Sequence, residues 1–318
     1  LLGLASALQP DRPVPRYAIR LERSPSLRWL QPIKDHLEYL PAVNDMAKNI
    51  VPDWLQPLAF WAAEQVRHFF LKEYAEELEG MAKASGLPLG EIVGLNLLYD
   101  LTARKRDPLM YKGCTSIVAE DASGHLWHGR NLDFNYGELL RNVTIIADFM
   151  RGDKILYTGV TFVLYAGIIT GQKPGAFSLS LNERDSGSMV DNIVMSIYTH
   201  FSRPVSFVLR QTLEEESSFE QAVGRLVKVQ LISSAYIIVA GTAPKQGAVI
   251  SKNRLNTVDV QYLGDDGGWF LVQTNFDHWG KEGDGRKGNA TKNLKKLGQS
   301  ELNTDSIYEV LSTSPVGN

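Results

Sequence analysis

Cys114 is the only cysteine in 318 residues, and it opens the strand-like run Cys114-Thr115-Ser116-Ile117-Val118-Ala119-Glu120-Asp121. A lone thiol forms no intramolecular disulfide and builds no cysteine metal cluster. If the backbone were cut just before it, the new chain would start with a nucleophile carrying its own base, the freed α-amine. The ordinary fate of a lone cysteine is burial as a small hydrophobe, and reactivity needs nearby positive charge to favour the thiolate. One hairpin later, His128-Gly129-Arg130-Asn131-Leu132-Asp133 supplies such a charge. Residues an odd number apart face opposite sides of a regular strand, so Arg130 and Asp133 are expected to straddle a strand end, with Asp133 on the turn. There they either flank the thiol or close the hairpin as a structural salt bridge. In the first case Asp133 orients the ammonium of Cys114 and Arg130 favours a thiolate or an oxyanion.

Three further segments carry polar groups at the ends of apolar runs. Asn182-Glu183-Arg184 is either an active-site edge or a solvated loop. Asn275, in Thr274-Asn275-Phe276-Asp277-His278-Trp279, is either an oxyanion donor or a turn residue. Arg286, in Asp284-Gly285-Arg286-Lys287, reads as a surface loop residue. His125 and His128 resemble a metal pair, but on a strand they point to opposite faces, so no metal site is expected. The chain contains no P-loop, no G-x-G-x-x-G and no G-x-S-x-G.

The elements that must position these residues fall into two blocks. Residues 8–31 are rich in proline and arginine and read as an extended leader. Residues 32–100 read as helical: Asp53 caps a helix running to about Tyr74 with Pro57 in its first turn, a second covers Ala75 to Ala84, and a third begins near Leu89. Leu58, Trp61, Ala62, Val66, Phe69 and Phe70 fall at helical spacing on one side of the first. That stripe, with Trp54 and Phe60, either packs on the core or lies on a membrane surface.

The charged segment Thr102 to Pro108 is a loop or linker. After Cys114 the pattern turns strand-rich. Thr115–Glu120 and His125–Arg130 flank the turn Ala122-Ser123-Gly124. Strands are expected at Val143–Phe149, Ile155–Val163, Ala166–Thr170 and Ala176–Leu181. Helices follow near Asp191–His200, Pro204–Glu214 and Phe219–Val227, then strands at Tyr236–Ala240, Ala248–Ser251, Val258–Leu263 and Trp269–Thr274. A helix near Thr304–Leu311 closes the chain. Two sheets covered by helices, an α+β layered architecture, accommodate this order.

Hydrophobic residues make up 44% and charged residues 22%, with a net charge of −3; this is ordinary globular composition and lacks the basic footprint of a nucleic-acid partner. No apolar run reaches membrane-spanning length. Residues 1–7 end in Ala5-Ser6-Ala7, the pattern of a signal-peptide remnant. Asn142-Val143-Thr144 and Asn289-Ala290-Thr291 are glycosylation acceptors. Together they point to a secretory or endolysosomal route.

The blocks Cys114 to Asp121, Gly124-His125, His128 to Asp133, Leu181-Asn182-Glu183-Arg184-Asp185 and Val272 to Trp279 occur in an order that resembles the acid ceramidase-like family of N-terminal-nucleophile amidases. The resemblance runs from roughly Arg16 through Pro315. It implies a four-layer αββα sandwich with a helical α-chain segment, and self-cleavage at Gly113–Cys114. The products would be a helical α subunit (8–113) and a catalytic β subunit (114–318) that stay together as a heterodimer. With no second cysteine, packing alone would hold the two. Cys114 would attack an amide carbonyl to give a thioester while its α-amine relays the proton.

Residue by residue, Arg130 and Asp133 match the positions that hold amine and thiolate. Asn275 matches the oxyanion donor, Glu183 the acid that supports self-cleavage, and Arg286 a loop arginine at the substrate mouth, near which Trp61 is also placed. No cofactor is implied.

The short stretch from Asp133 to Phe149, together with Glu183-Arg184-Asp185 and Asp277-His278-Trp279, places the chain nearer the fatty-acid-ethanolamide-hydrolysing branch than the ceramide-hydrolysing one. A lysosomal amidase that collects lipid at a membrane through the helix near 53–74 is the leading expectation. The alternatives are a ceramidase or a non-maturing membrane-binding relative. The approach to Cys114, residues 104–113, is longer and more charged than the family's, and the chain ends at Asn318 where family members continue into further strand. A free α-amine titrates near ~7.7–8.0 and a free thiol near ~8.5. Arg130 and the ammonium are therefore expected to pull the Cys114 thiol down for work at acid pH.

Overall fold

The computed structural model describes residues 13–49, 53–54, 56–102, 112–134, 136–184, 204–280 and 283–317. Its strands are β1 (Arg16–Arg20), β2 (Lys112–Glu120), β3 (Leu126–Phe134), β4 (Thr144–Arg151), β5 (Lys154–Phe162), β6 (Thr170–Lys173), β7 (Phe177–Glu183), β8 (Ala235–Ala240), β9 (Gly247–Lys252), β10 (Thr257–Tyr262) and β11 (Phe270–Gln273). Its α-helices are α1 (Leu30–Asp35), α2 (Leu40–Lys48), α3 (Gln56–Val66), α4 (Lys72–Ser85), α5 (Leu89–Thr102), α6 (Gly137–Val143), α7 (Val205–Glu215), α8 (Phe219–Lys228), α9 (Arg286–Leu297) and α10 (Thr304–Ser312).

An eight-stranded sheet, ordered β1-β4-β5-β6-β7-β8-β9-β10, stacks on a three-stranded sheet, β11-β2-β3. The period-2 alternation of the strands builds the layers. On β8, Ile237 and Val239 join the core under α7 and α8, while Tyr236, Ile238 and Ala240 join the core between the sheets. On β2, Val118 faces the large sheet, while Ile117 and Ala119 pack against Ala290 and Leu294 of α9 and Ile307, Val310 and Leu311 of α10. Helix, sheet, sheet, helix is the αββα order. Gly129 of β3 is needed for the outer layer, since a Cβ there would lie 2.8 Å from Leu311 Cδ1.

Several expectations are corrected. The helix from Asp53 does not reach Tyr74: α3 ends at Val66, a 3₁₀ turn covers Arg67–Phe69, and α4 starts afresh at Lys72. The aromatic stripe is not a core stripe. Leu58 (60%) and Trp61 (61%) are exposed, and only Val66 and Phe70 are buried. α3 packs instead through Phe60 on α5, where a Cβ at Gly90 would meet the Phe60 carbonyl at 2.2 Å.

The segment 166–169 is not a strand. The Ala166 N–H donates to Asn96 Oδ1 (2.7 Å) and the Ile168 N–H to the Ser206 carbonyl (3.1 Å), so the ladder starts only at Thr170. Arg16–Arg20, placed in a leader, pairs in parallel with Ile146–Met150 of β4. The helix α9 falls where a loop was expected, because its Lys-rich sequence buries only Arg286, Ala290 and Leu294 and so carries little apolar periodicity. The helix expected near 191–200 lies outside the described residues.

Candidate active site

Cys114 sits in the middle strand of the small sheet and is buried to 1% exposure. Gly113 and Cys114 are consecutive residues of β2. The Cys114 side chain shares a face with Ser116. Ser116 Oγ lies 2.9 Å from Ser180 Oγ and donates to Asn182 Oδ1 (2.8 Å), while Asn182 Nδ2 donates to the Gln273 carbonyl (2.8 Å). These bonds staple β2, β7 and β11 together beneath the thiol.

Arg130 lies opposite Ser116 in the β2–β3 register, hence on the thiol's face. Its Nη2 donates to the Leu181 carbonyl (2.7 Å) and lies 3.7 Å from Cys114 Sγ, and its Nη1 donates to Thr170 Oγ1 (2.8 Å). Asp133 is not on a turn, because β3 continues to Phe134 and pairs Asp133 with Gly113. Alternation turns it to the opposite face from Arg130. Burial pushes the Asp133 carboxyl above the ordinary aspartate range, while the charges of Arg286 and Arg130 oppose the rise. Its Oδ2 is buried with no hydrogen-bond partner among the described residues.

Arg286 corrects the largest misreading. It is not a surface loop residue: it is 2% exposed. Gly285, with φ +74°, turns the backbone through a region glycine tolerates and starts α9 with Arg286 directed inward. Arg286 Nη1 donates to the Cys114 carbonyl (2.7 Å), Nη2 to Asn275 Oδ1 (2.8 Å) and Nε to Asp284 Oδ2 (2.8 Å). No apolar periodicity marks Arg286 as buried; only the preceding glycine hints at a turn.

Asn275 lies at the Cys114 nitrogen. The Cys114 N–H donates to its Oδ1 (2.8 Å), and its Nδ2 donates to the Glu183 carbonyl (2.8 Å). Two donors on one side and a carbonyl on the other fix the amide's orientation. In the uncut chain it therefore presents an acceptor to the Cys114 nitrogen and has its donor engaged elsewhere. Glu183, buried at the end of β7, contributes through its backbone to the thiol.

The expected lowering of the thiol does not hold in the uncut chain. Burial pushes the Cys114 thiol up, and it outweighs Arg130, a hydrogen bond from the Glu183 backbone and Arg286, which pull it down; the Glu183 carboxylate adds to the rise. No α-ammonium exists before cleavage to reverse that balance.

The remaining residues lie apart. Trp61 is on the exposed face of α3. Asn142 lies near the end of α6, and Asn289 lies in the first turn of α9, where its Nδ2 donates to the Gly285 carbonyl (2.9 Å). His128 is held between Ser178 Oγ (2.8 Å) and Ser180 Oγ (2.9 Å), and burial lowers it to about 4. Among the described residues no group of three or more His, Cys, Asp or Glu side chains forms a metal cluster.

Tyr99 of α5 escaped notice, because nothing separates it in sequence from a core aromatic. Burial pushes its phenol well up, and the charges of Cys114 and Glu183 add to the rise. It lines an apolar cavity of about 80 Å³ with Val43, Met46, Leu98, Leu140 and Phe162. That volume is short of the ~300–1,000 Å³ of a typical ligand pocket, so in the uncut chain it is a narrow slot beside the nucleophile.

A buried thiol on the middle strand of the inner small sheet, beside an arginine and within αββα layers, defines an N-terminal-nucleophile type of amide hydrolase. A family model described as linear amide C–N hydrolases, choloylglycine hydrolase family, matches residues 114–309, and the chain belongs to that family. It is 50% identical over 97% of its length to an N-acylethanolamine-hydrolyzing acid amidase from Caenorhabditis elegans, covering 87% of that protein. It is 38% identical over 99% of its length to the rabbit (Oryctolagus cuniculus) protein of the same name, covering 86% of it, and 33% identical over 96% to human (Homo sapiens) acid ceramidase, covering 81%. A solved structure of the Caenorhabditis elegans amidase ortholog superposes with a TM-score of 0.60 at 50% identity, covering 64% of this chain and 88% of that one.

Proposed function

We propose that this chain cuts itself before Cys114 and then hydrolyses fatty-acid ethanolamides to fatty acid and ethanolamine. The observation that carries the proposal is the clamp around Cys114: Asn275 holds the nitrogen of the Gly113–Cys114 peptide, Arg286 holds the carbonyl of the peptide that follows, and Arg130 reaches the thiol. In self-cleavage, Sγ bonds to the Gly113 carbonyl carbon and the Gly113–Cys114 C–N bond breaks. The nitrogen takes a proton and becomes the α-amine, and water releases Gly113 as a carboxylate. In turnover, Sγ attacks the substrate carbonyl and ethanolamine departs after taking a proton relayed by the α-amine. Water then hydrolyses the thioester to the fatty acid.

Asp133 and Asn275 would hold the new ammonium, and Arg130 would favour the thiolate once that ammonium is present. Glu183 would support self-cleavage. The slot beside Tyr99 suits an acyl chain. Trp54 and Trp61, 81% and 61% exposed on and before α3, suit contact with a membrane surface; no described helix is long and apolar enough to cross one. A lysosomal setting, with glycans on Asn142 and Asn289, accords with acid amidase relatives. Ceramide is the weaker substrate reading, given lower identity to the ceramidases.

Intact-mass spectrometry before and after incubation at about pH 4.5, with Cys114→Ala as control, tests the cut. Hydrolysis of a long saturated ethanolamide against a ceramide tests the substrate. A chain that stays whole, or that prefers ceramide, overturns the corresponding part.

A further inference from the structure

Glu77 of α4 is fully buried, and so is Arg210 of α7. Arg210 Nη1 donates to Glu77 Oε2 (2.6 Å) and Nη2 to Oε1 (2.7 Å), a bidentate pair. The remaining acceptor capacity of Glu77 is filled by Arg28 Nη1 (2.8 Å) and Trp29 Nε1 (2.8 Å). Arg210 also donates to Tyr157 Oη (3.2 Å) and the Ala166 carbonyl (3.0 Å), and its guanidinium lies 4.6 Å from the centre of the Tyr74 ring and 4.7 Å from that of Phe149.

These partners divide at Cys114. Glu77, Arg28, Trp29 and Tyr74 precede it; Arg210, Phe149, Tyr157 and Ala166 follow it. We propose that the Glu77–Arg210 pair is the latch that holds the N-terminal piece on the C-terminal piece after the chain is cut. The inference rests on the self-cleavage reading above and adds what keeps its product intact.

With one cysteine in this sequence no disulfide joins the two pieces, so non-covalent contacts must hold them. A second tie runs along the same junction: β1 adds in parallel to the edge of the large sheet, and Arg16 grips Asp148 of β4 through two bonds (2.6 and 2.9 Å). That pair is half exposed on the Arg16 side and weak by comparison, whereas breaking one side of a buried pair strands a charge. The acyl slot spans the junction too: Val43, Met46 and Tyr99 come from one piece, Leu140 and Phe162 from the other. A cut enzyme that loses the latch loses half of that slot.

The test uses the full chain in two forms. One is the self-cleaved protein. The other carries Cys114→Ala and a site-specific protease sequence inserted between residues 103 and 111, so that the cut is made whether or not the chain cuts itself. Dilution with size and mass detection gives the Kd between pieces, at about pH 5 and about pH 7. Glu77→Gln and Arg210→Gln are each expected to raise Kd at least ~100-fold, and the double variant to be no worse than the worse single one. Activity at fixed substrate should then fall on dilution.

Unchanged Kd in the single variants, or strictly additive effects in the double one, overturns the latch. If the Gln variants do not fold uncut, Arg210→Lys, which keeps the charge but loses the fork, should still raise Kd about tenfold, and an unchanged value again overturns it. A chain that never cuts itself but shows the Glu77 dependence in the inserted-site form sinks the cleavage reading and leaves the pairing established. Normal self-cleavage with a Glu77-independent Kd sinks the latch alone.

Discussion

Among the described residues, the buried charges around Glu77 and those around Cys114 are built on opposite plans. Around Glu77 every carboxylate oxygen has two donors, and Arg210 donates through all three of its nitrogens, to Glu77, Tyr157 and Ala166. The Arg210 charge and the surrounding donors overcome desolvation and hold Glu77 below the ordinary glutamate range. Around Cys114 the charges are incompletely met. Asp133 Oδ2 and Arg130 Nε are buried without partners among the described residues, and burial wins over Arg286 and Arg130, leaving Asp133 above its ordinary value. A satisfied cluster resists change in charge. An unsatisfied one, such as the cluster around Cys114, can accept a new charge or hydrogen-bonding group, as the proposed self-cleavage would supply.

The largest expected effect comes from removing the thiol. Cys114→Ala should abolish both self-cleavage and hydrolysis while leaving the fold intact, as read by intact mass and thermal unfolding of the uncut chain. Loss of cleavage with retained hydrolysis would mean that another group is the nucleophile.

Next, Glu77→Gln should destabilise the chain by about 3–5 kcal/mol, because it leaves the buried Arg210 guanidinium short of a charge partner, while Arg28 keeps Glu73. Glu77 is depressed in the folded state. Its contribution is therefore present above the unfolded glutamate value of ~4.3 and is lost as pH falls through the lower folded value. The penalty of Glu77→Gln measured at pH 7 should persist at pH 5 and shrink only in stronger acid.

Arg286→Met should slow self-cleavage by about 10²-fold or more, since it frees the Cys114 carbonyl and the Asn275 amide from their set geometry; timed gels at pH 4.5 measure it. A rate within twofold of the unsubstituted chain would remove Arg286 from the machinery.

Asp133→Asn sharpens the contrast through its sign. Asp133 is raised when folded, so the native state holds a proton that the unfolded chain has released. Stability drops as pH climbs from the unfolded value of ~3.9 through the folded one. Replacing it should help most above that window and least below it, opposite in slope to Glu77→Gln. Unfolding midpoints from pH 3 to 7 should show the two curves diverging, and parallel curves would refute the distinction.

The smallest effect lies at the surface. Trp61→Ser should change stability by no more than about 0.5 kcal/mol yet weaken binding to anionic vesicles, measured by co-sedimentation. Unaltered binding would make the exposed aromatics incidental.

Much of the layered fold was legible because strand alternation writes itself into sequence. The β2 and β8 runs each send apolar residues both ways, and each is buried on both faces. The hairpin between β2 and β3 announced itself through the turn Ala122-Ser123-Gly124, which the structure closes with Asp121 Oδ1 accepting from the Ser123 and His125 backbones. α9 was illegible, because a helix that buries three positions beneath a lysine-rich face carries almost no periodic signal. β1 was illegible for a related reason: five residues acquire strand character only when β4 offers an edge.

By itself the sequence determined the nucleophile, the arginine one hairpin away, the order of most strands and the family, since all of these depend on residue type and short spacing. Only the tertiary structure decided that Arg286 is buried against the Cys114 carbonyl, 172 positions away in sequence, and that Asn275 turns its oxygen toward the Cys114 nitrogen. The same holds for Glu77 and Arg210, joined across 133 positions. Such pairings are chosen by which side chains the sheets and helices bring into one dry space, where an unmatched charge is too costly to leave, and no local pattern records that choice.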